Sequence, residues 1–407
     1  MHGSFIGRTK RYWILALLLI GIGCFIRVIL ALSGIHGTDI LYHLAGAYAV
    51  LNGEVLYRDV TYVYPPLYAL LQALAIALLG PNLISYKLWP IVFDVGNALL
   101  LYKILKDLKS EEVGILALAL YFLNPLTFIS SAWYGLFDSI PAFLLLSGTY
   151  LFLRGRHWTS SVLLGLGTVA KVVPAIVAPL FTLYIYLKRG VLRAITYLAV
   201  FTIIILSVEI PFLITAGRAA IEEQLKFHAI RSGEGFSIIR FIFDNTPYAT
   251  LTSWVIRISI YGIVIYALYS IHTHRVDSVN NAFKVALLVV ASFITFNAFL
   301  FPHYLIYILP LMLVAFSDKI YSTFKDIVQS AVRRTRGVKI PGISDVLIIL
   351  LLIIISLVCP VYWKFYNDLT TVLAISLLYN VAAIPLIPLG ILKLMKTREP
   401  HRDSYLK

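Results

Sequence analysis

The chain has 407 residues, 60% of them hydrophobic and 13% charged, with a mean hydropathy of +0.87. A soluble domain carries roughly 45–50% apolar and about 25% charged residues, so a soluble globular enzyme, a disordered chain and a nucleic-acid binder are excluded. The net charge of +14 comes from 34 Lys and Arg against 20 Asp and Glu. The basic residues cluster between apolar runs, as loops on the cytoplasmic side of a membrane do.

Apolar runs fall at 13–33, 65–80, 84–105, 113–131, 138–153, 160–187, 191–214, 250–271, 282–301, 303–317, 344–361 and 369–392. The first has one internal charge, Arg27. It is long for a signal-peptide core and no small-x-small cleavage site follows it, so it is read as a retained span. No run alternates with period two, which excludes a β-barrel. The class expected is an all-α polytopic membrane protein of about 10–12 transmembrane helices, with interfacial helices in its outer loops. It is read as one domain over 1–407, with a core at about 10–310 and C-terminal helices at 344–392. Cys24 and Cys359 lie inside apolar runs and read as packing residues.

Orientation follows from the basic clusters. Arg8, Lys10 and Arg11 place the N-terminus inside, so 34–64 is outside. Arg154–Arg156, Lys188–Arg193, His272–Arg275 and the strongly basic 318–339 are inside. The stretch 160–187 therefore starts and ends on the same side, and Lys171-Val172-Val173-Pro174 is predicted to break it into two short helices. Three runs separate residues 34 and 132, both expected outside. One must fall short of crossing, and 65–80, the shortest, is expected to do so.

Charges near a bilayer are costly, about 2.5–3.5 kcal/mol at a helix centre on insertion scales, and here they collect on the outer face. The first outer loop carries Asp39, Tyr42 and His43 on one side of an amphipathic segment, 39–51, ended by Asn52-Gly53. It continues through Glu54, Arg58-Asp59 and the rigid Tyr62-Val63-Tyr64-Pro65-Pro66. A second group is Asn124-Pro125 with Trp133-Tyr134-Gly135-Leu136-Phe137-Asp138, in which Asp138 fits a helix N-cap or a cavity carboxylate. Lys171, in the broken stretch, either snorkels or meets an anion. The loop 215–249 offers His228 and Arg231 beside glycines, suited to a phosphate. His303, in Pro302-His303-Tyr304, is a further candidate. Walker A, dinucleotide-binding, H-E-x-x-H and Cys-cluster motifs are missing from the sequence.

The order of these motifs resembles the GT-C superfamily of polytopic glycosyltransferases, which use polyprenyl-phosphate sugars. Asp-x-x-Tyr comes first, then Tyr-x-Tyr-Pro-Pro-Leu, Asn-Pro, Trp-x-Gly-x-Phe-Asp-Ser, Gly-x-Gly with Lys-x-x-Pro, His-x-x-Arg and a late His-Tyr-Leu. The likeness is greatest to mannosyltransferases of the glycosylphosphatidylinositol mannosyltransferase I type and their prokaryotic relatives. Leu136 stands where such relatives carry Gln. The resemblance implies a GT-C-like bundle that transfers a hexose, expected to be mannose, with inversion. The donor is a polyprenyl-phosphate sugar and the acceptor a lipid- or glycan-linked hydroxyl on the outer or lumenal face. It implies Asp39 as general base, with Lys171, His228 and Arg231 toward the donor phosphate. Tyr42, His43, Arg58, Tyr64, Trp133, Asp138 and His303 are assigned to the substrates. No metal ligand or cofactor is assigned, and a divalent metal stays open. The membrane would be the plasma membrane of a prokaryote or the endoplasmic reticulum of a eukaryote. The alternative from another class is a lipid-linked sugar flippase or other transporter, since intramembrane charges also mark transport paths.

Overall fold

The computed structural model describes residues 2–230, 234–243, 247–272, 279–333 and 343–396. The chain is an all-helical membrane protein whose elements follow the apolar runs. In order they are α1 (His2–Leu32), α2 (Asp39–Leu51), α3 (Leu67–Leu79), α4 (Leu83–Leu108), α5 (Glu111–Phe122), α6 (Pro125–Phe128) and α7 (Ser139–Leu153). Then come α8 (His157–Ala170), α9 (Ala178–Arg189), α10 (Val191–Ala216), α11 (Arg218–Ile230), α12 (Ile238–Phe243), α13 (Pro247–His272) and α14 (Val279–Thr295). The last are α15 (Leu305–Ala315), α16 (Ser317–Arg333), α17 (Ile343–Phe365) and α18 (Leu369–Lys396). Two short strands, β1 (Glu234–Gly235) and β2 (Phe299–Leu300), pair in parallel and tie the α11–α12 connection to the end of α14.

Among the described residues five helices are long and apolar enough to cross a membrane, and counting two bent pairs as single spans raises this to seven. Five shorter apolar helices complete the bundle. One of these is α3, with 13 residues. At 1.5 Å per residue it reaches about 20 Å, short of a hydrocarbon core of about 30 Å. Its outer neighbour α2 is equally short.

Two spans are broken for local reasons. The run 113–131, expected as one span, bends by 47° between α5 and α6. Asn124 caps the second piece by accepting from the Leu126 N–H at 3.0 Å, and Pro125 opens it. A π-helical turn over Ile129–Trp133 follows. The stretch 160–187 breaks where the sequence predicts: Lys171 is extended, with φ −160° and ψ 139°, and a 3₁₀ turn covers Val173–Ile176. In the basic 318–339 segment, expected as a loop, α16 forms instead and turns 79° from the preceding helix. Its Ile320, Phe324 and Ile327 share a face at helical spacing.

Polar side chains in α4 organise the bundle. Asn82 caps this helix, accepting from the N–H groups of Ile84 and Ser85, both at 3.0 Å. Pro90 cannot donate to the Tyr86 carbonyl, and the Gln72 amide of α3 donates there instead, at 3.0 Å. Four residues further on, Asp94 pairs with Arg27 of α1 at 2.6 Å, with both side chains fully buried. Every remaining site on the pair is filled. Arg27 also donates to Thr127 Oγ1 and to the Gly23 and Phe122 carbonyls, while Tyr121 and Ser131 donate to Asp94. The guanidinium lies 3.8 Å from the centre of the Phe122 ring.

Breaking a buried pair strands a charge and costs about 3–5 kcal/mol, while apolar replacement of both partners is close to neutral. Arg27→Met alone or Asp94→Leu alone is therefore expected to lower the detergent-solubilised protein's unfolding midpoint sharply. The double variant is expected to recover at least half of that loss, as read by thermal denaturation.

Candidate functional site

The first loop is fixed over the segment 129–138 by contacts that begin with one lysine. Lys87 of α4 is fully buried, and its ammonium donates to the carbonyls of Gly34 and Trp133, at 2.7 and 2.8 Å, and to that of Ala31 at 3.4 Å. His36 stacks on the Trp133 ring with centroids 3.8 Å apart. Gly135 adopts φ +66°, and a Cβ there would stand 2.7 Å from Ile40 Cδ1 and 3.2 Å from Lys87 Cγ. Glycine is thus required for α2 to approach this closely.

Below α2, Lys171 meets Asp138 at 2.6 Å, with side chains 12% and 2% exposed. Asp138 precedes α7 but makes no capping hydrogen bond, so the cap predicted for it is replaced by this ion pair. The Lys171 ammonium lies 4.6, 5.2 and 5.6 Å from the ring centres of Tyr304, Phe137 and Tyr64. Lys171 directly follows α8, its N–H still donating to the Gly167 carbonyl at 2.9 Å, and the chain breaks from the helix after it.

His43 forms the ceiling of this cluster. It is buried and packs edge-on against Phe137 at 4.8 Å and Tyr68 at 5.1 Å, and it lies tilted to Tyr64 at 5.2 Å. Its Nδ1 has no hydrogen-bond partner among the described residues. Burial, and secondarily the Lys171 charge, push its pKa down to about 3, so the imidazole is neutral at neutral pH. His303, buried in the turn before α15, lies within electrostatic reach of both His43 and Asp138. Tyr42 points to the other flank, where its hydroxyl accepts from the Val63 N–H at 2.7 Å and its ring stacks on Tyr62.

The structure thus brings together His43, Tyr64, Asp138, Lys171 and His303, with Tyr42 adjoining. Trp133 contributes its ring to His36 and its carbonyl to Lys87. Asp39 stands apart from the pair: it begins α2, is exposed, and makes no hydrogen bond or ion pair among the described residues. It sits four residues before His43, about 6 Å along the helix axis at 1.5 Å per residue. Arg58 is also exposed and is engaged by its neighbour Asp59 through two hydrogen bonds of 2.9 Å. Arg231 lies outside the described residues, as does the side chain of His228. Lys87, Tyr68 and Phe137 were not singled out as site residues from sequence. A lysine within an apolar run was the available signal for the first. Among the described residues no three His, Cys, Asp or Glu side chains gather as metal ligands.

With this geometry in hand, comparison with solved structures identifies the fold. ArnT from Cupriavidus metallidurans bound to undecaprenyl phosphate is similar with a TM-score of 0.53 and 13% identity, covering 96% of this chain and 76% of ArnT. ArnT in the apo state gives 0.52 with the same identity and coverage. An oligosaccharyltransferase from Archaeoglobus fulgidus is similar with a TM-score of 0.42 and 14% identity, over 97% of this chain and 57% of its own. The chain is a polytopic membrane protein with the GT-C fold. Within it, residues 40–230 match the family model of the GPI transamidase subunit PIG-U. No curated protein matches the chain.

The depressed pKa of His43 makes a testable contribution to stability. An unfolded chain takes up this proton at about 6.5, before the folded one does, so stability present above that pH is lost as pH falls toward about 3. His43→Phe is expected to flatten the pH dependence of the unfolding midpoint in this window. Its advantage over the native protein should grow to the order of a few kcal/mol near pH 4. Parallel curves for the two proteins would show that His43 carries no such term.

Proposed function

We propose that this protein transfers a hexose, mannose being the first candidate, from a polyprenyl-phosphate donor to a lipid- or glycan-linked hydroxyl on the outer or lumenal face. The observation that carries the reading is the placement of Asp39. It is an exposed carboxylate one helix turn before His43, whose ring packs on Phe137 beside the buried Lys171–Asp138 pair, in a chain with the GT-C fold. Likeness to ArnT, described bound to undecaprenyl phosphate, supports a polyprenyl-phosphate lipid as partner.

In this reading Asp39 takes the proton of the acceptor hydroxyl as its oxygen attacks the anomeric carbon. The bond from that carbon to the phosphate oxygen breaks, and the electron pair leaves with the phosphate. One displacement inverts the anomeric carbon. Lys171 supplies positive charge to the leaving phosphate, and Asp138 acts as its positioning residue, holding the ammonium among the rings of Tyr64, Phe137 and Tyr304. Tyr42, His43, Tyr64 and His303 shape the cavity. By the sequence resemblance His228 and Arg231 are assigned with Lys171 to the donor phosphate, and Arg58 and Trp133 to the substrates. The whole chain acts as one catalytic unit, and a divalent metal is an open addition.

One observation favours a second reading. The PIG-U match begins at Ile40, immediately after Asp39, and covers His43, Asp138 and Lys171. A subunit that holds a lipid-linked glycan without transferring sugar would keep the cavity and have no need of the carboxylate.

The test is transfer from radiolabelled polyprenyl-phosphate mannose, and then glucose, into lipid or glycan acceptors by membranes carrying the protein. Asp39→Asn is expected to reduce transfer by about 100-fold or more with the donor still bound, in keeping with loss of a general base. Undiminished transfer by Asp39→Asn removes the assigned base. Donor or glycolipid binding with no transfer by the native chain replaces the enzyme with the binding subunit, and lipid translocation without transfer replaces it with a flippase.

A further inference from the structure

Arg257 lies in α13, ten residues from its start at Pro247 and thus about 15 Å along the helix. It is 8% exposed. Its guanidinium sits 4.2 Å from the Trp254 ring centre and 4.6 Å from that of Phe293 in α14. Nε donates to the Ser253 carbonyl at 3.2 Å, a bond within its own helix. The four N–H groups of Nη1 and Nη2 meet no acceptor, and the side chain no ion-pair partner, among the described residues. This distinguishes Arg257 from the other buried cations. Arg27 has Asp94, Lys171 has Asp138, and Lys87 has carbonyls.

An unpaired cation in an apolar helix is costly, and a guanidinium is built to grip two oxygens of one anion. The surroundings indicate which side that anion comes from. Trp254, whose ring the guanidinium meets, is 44% exposed, and Leu251, Val255 and Ile258 on the adjoining apolar face of α13 are exposed as well. Ser253 donates to the Phe296 carbonyl at 2.6 Å, which holds this part of α13 level with the end of α14. Residues 298–304 continue from there to Tyr304 beside Lys171. One turn below Arg257, Tyr261 donates to the Ile176 carbonyl in the break that follows Lys171. Through Tyr261, Arg257 is thus one helix turn from the break that follows Lys171.

We propose that Arg257 is the contact for a lipid phosphate, received from the bilayer between α13 and α14 and gripped by its two Nη groups. Phospholipids and polyprenyl phosphates share this chemistry. The site stands without the transferase reading if the lipid is a phospholipid, and rests on that reading only if the lipid is its donor.

Binding is measured on the full chain in phosphatidylcholine nanodiscs by native mass spectrometry, with undecaprenyl phosphate, undecaprenol or phosphatidylglycerol as probe. The native protein is expected to bind undecaprenyl phosphate at least about tenfold more tightly than undecaprenol, the range of one charge-assisted contact. Arg257→Gln is expected to weaken phosphate binding by about tenfold with undecaprenol binding unchanged, and Arg257→Lys, which keeps the charge but loses the fork, to weaken it less. Loss confined to undecaprenyl phosphate identifies the polyprenyl lipid, and equal loss of phosphatidylglycerol identifies lipid phosphate in general. Native protein that binds phosphate and alcohol alike overturns the proposal, whether or not the variants fold. So does an Arg257→Gln protein that binds both phosphates as the native chain does. Sugar transfer plays no part in these readouts, so failure here leaves the transferase assignment to its own test.

Discussion

The buried pair of Arg27 and Asp94 sets the frame of the molecule. An ion pair in an apolar bundle is tolerable only when every remaining donor and acceptor is met, and here α1, α4, α5, α6 and the π turn all contribute partners. The same face of α4 carries Lys87, Pro90, Asp94 and Asn97 at helical spacing. Lys87 fixes the first loop, and Asp94 fixes α1 and the π turn. The Pro90 carbonyl and the Asn97 amide both bond to Ser139, at 2.7 and 2.9 Å. Ser139 follows Asp138, so the helix that orders the frame also places the carboxylate of the candidate site.

The second organising feature is a discontinuity. Irregular backbone within a membrane needs burial in protein or a cavity to satisfy its polar groups. The Lys171–Ile176 break meets this need at the Ile176 carbonyl, which accepts from the Tyr261 hydroxyl. It turns a lysine toward aromatic rings and a carboxylate rather than toward lipid. Asp39 and Lys171 differ accordingly: the first is exposed at the start of α2, and the second is held in one place by its ion pair.

Much of this fold was legible in the sequence because lipid imposes length and polarity on every span. The twelve apolar runs and the break at Lys171-Val172-Val173-Pro174 follow from that constraint alone. The shortness of the segment after Pro66 does as well. Pairings were not legible. Asp138 and Lys171 are separated by 33 positions and read as a helix cap or cavity carboxylate and as a snorkelling or anion-meeting lysine, and their pairing with each other required the fold. Arg27 read as a tolerated charge, and Asp94 and Lys87 went unremarked among apolar neighbours, because their partners come from other helices and from backbone carbonyls. Charge counting also hid α16, whose Ile320, Phe324 and Ile327 spacing was visible within the basic segment. The site was legible as a set of residue types on one face, and the grouping of His43, Tyr64, Asp138, Lys171 and His303 required the fold.

Tyr57, in the first loop, has a consequence for how the protein is made. It holds φ +73°, a conformation that costs a side-chain-bearing residue roughly 1–2 kcal/mol. Its ring rests against Phe212 at the far end of α10, and its hydroxyl donates to the Tyr64 carbonyl at 2.8 Å. The local backbone preference therefore opposes the shape that the packing demands. During synthesis Phe212 emerges 155 residues after Tyr57, a delay of about 8–30 s at roughly 5–20 residues per second. Over that interval α1 to α9 can enter the membrane and α4 can gather its partners, while Tyr57 lacks the Phe212 ring against which it packs. Assembly thus runs from the frame outward, and the first loop translated is among the last parts to take its final form.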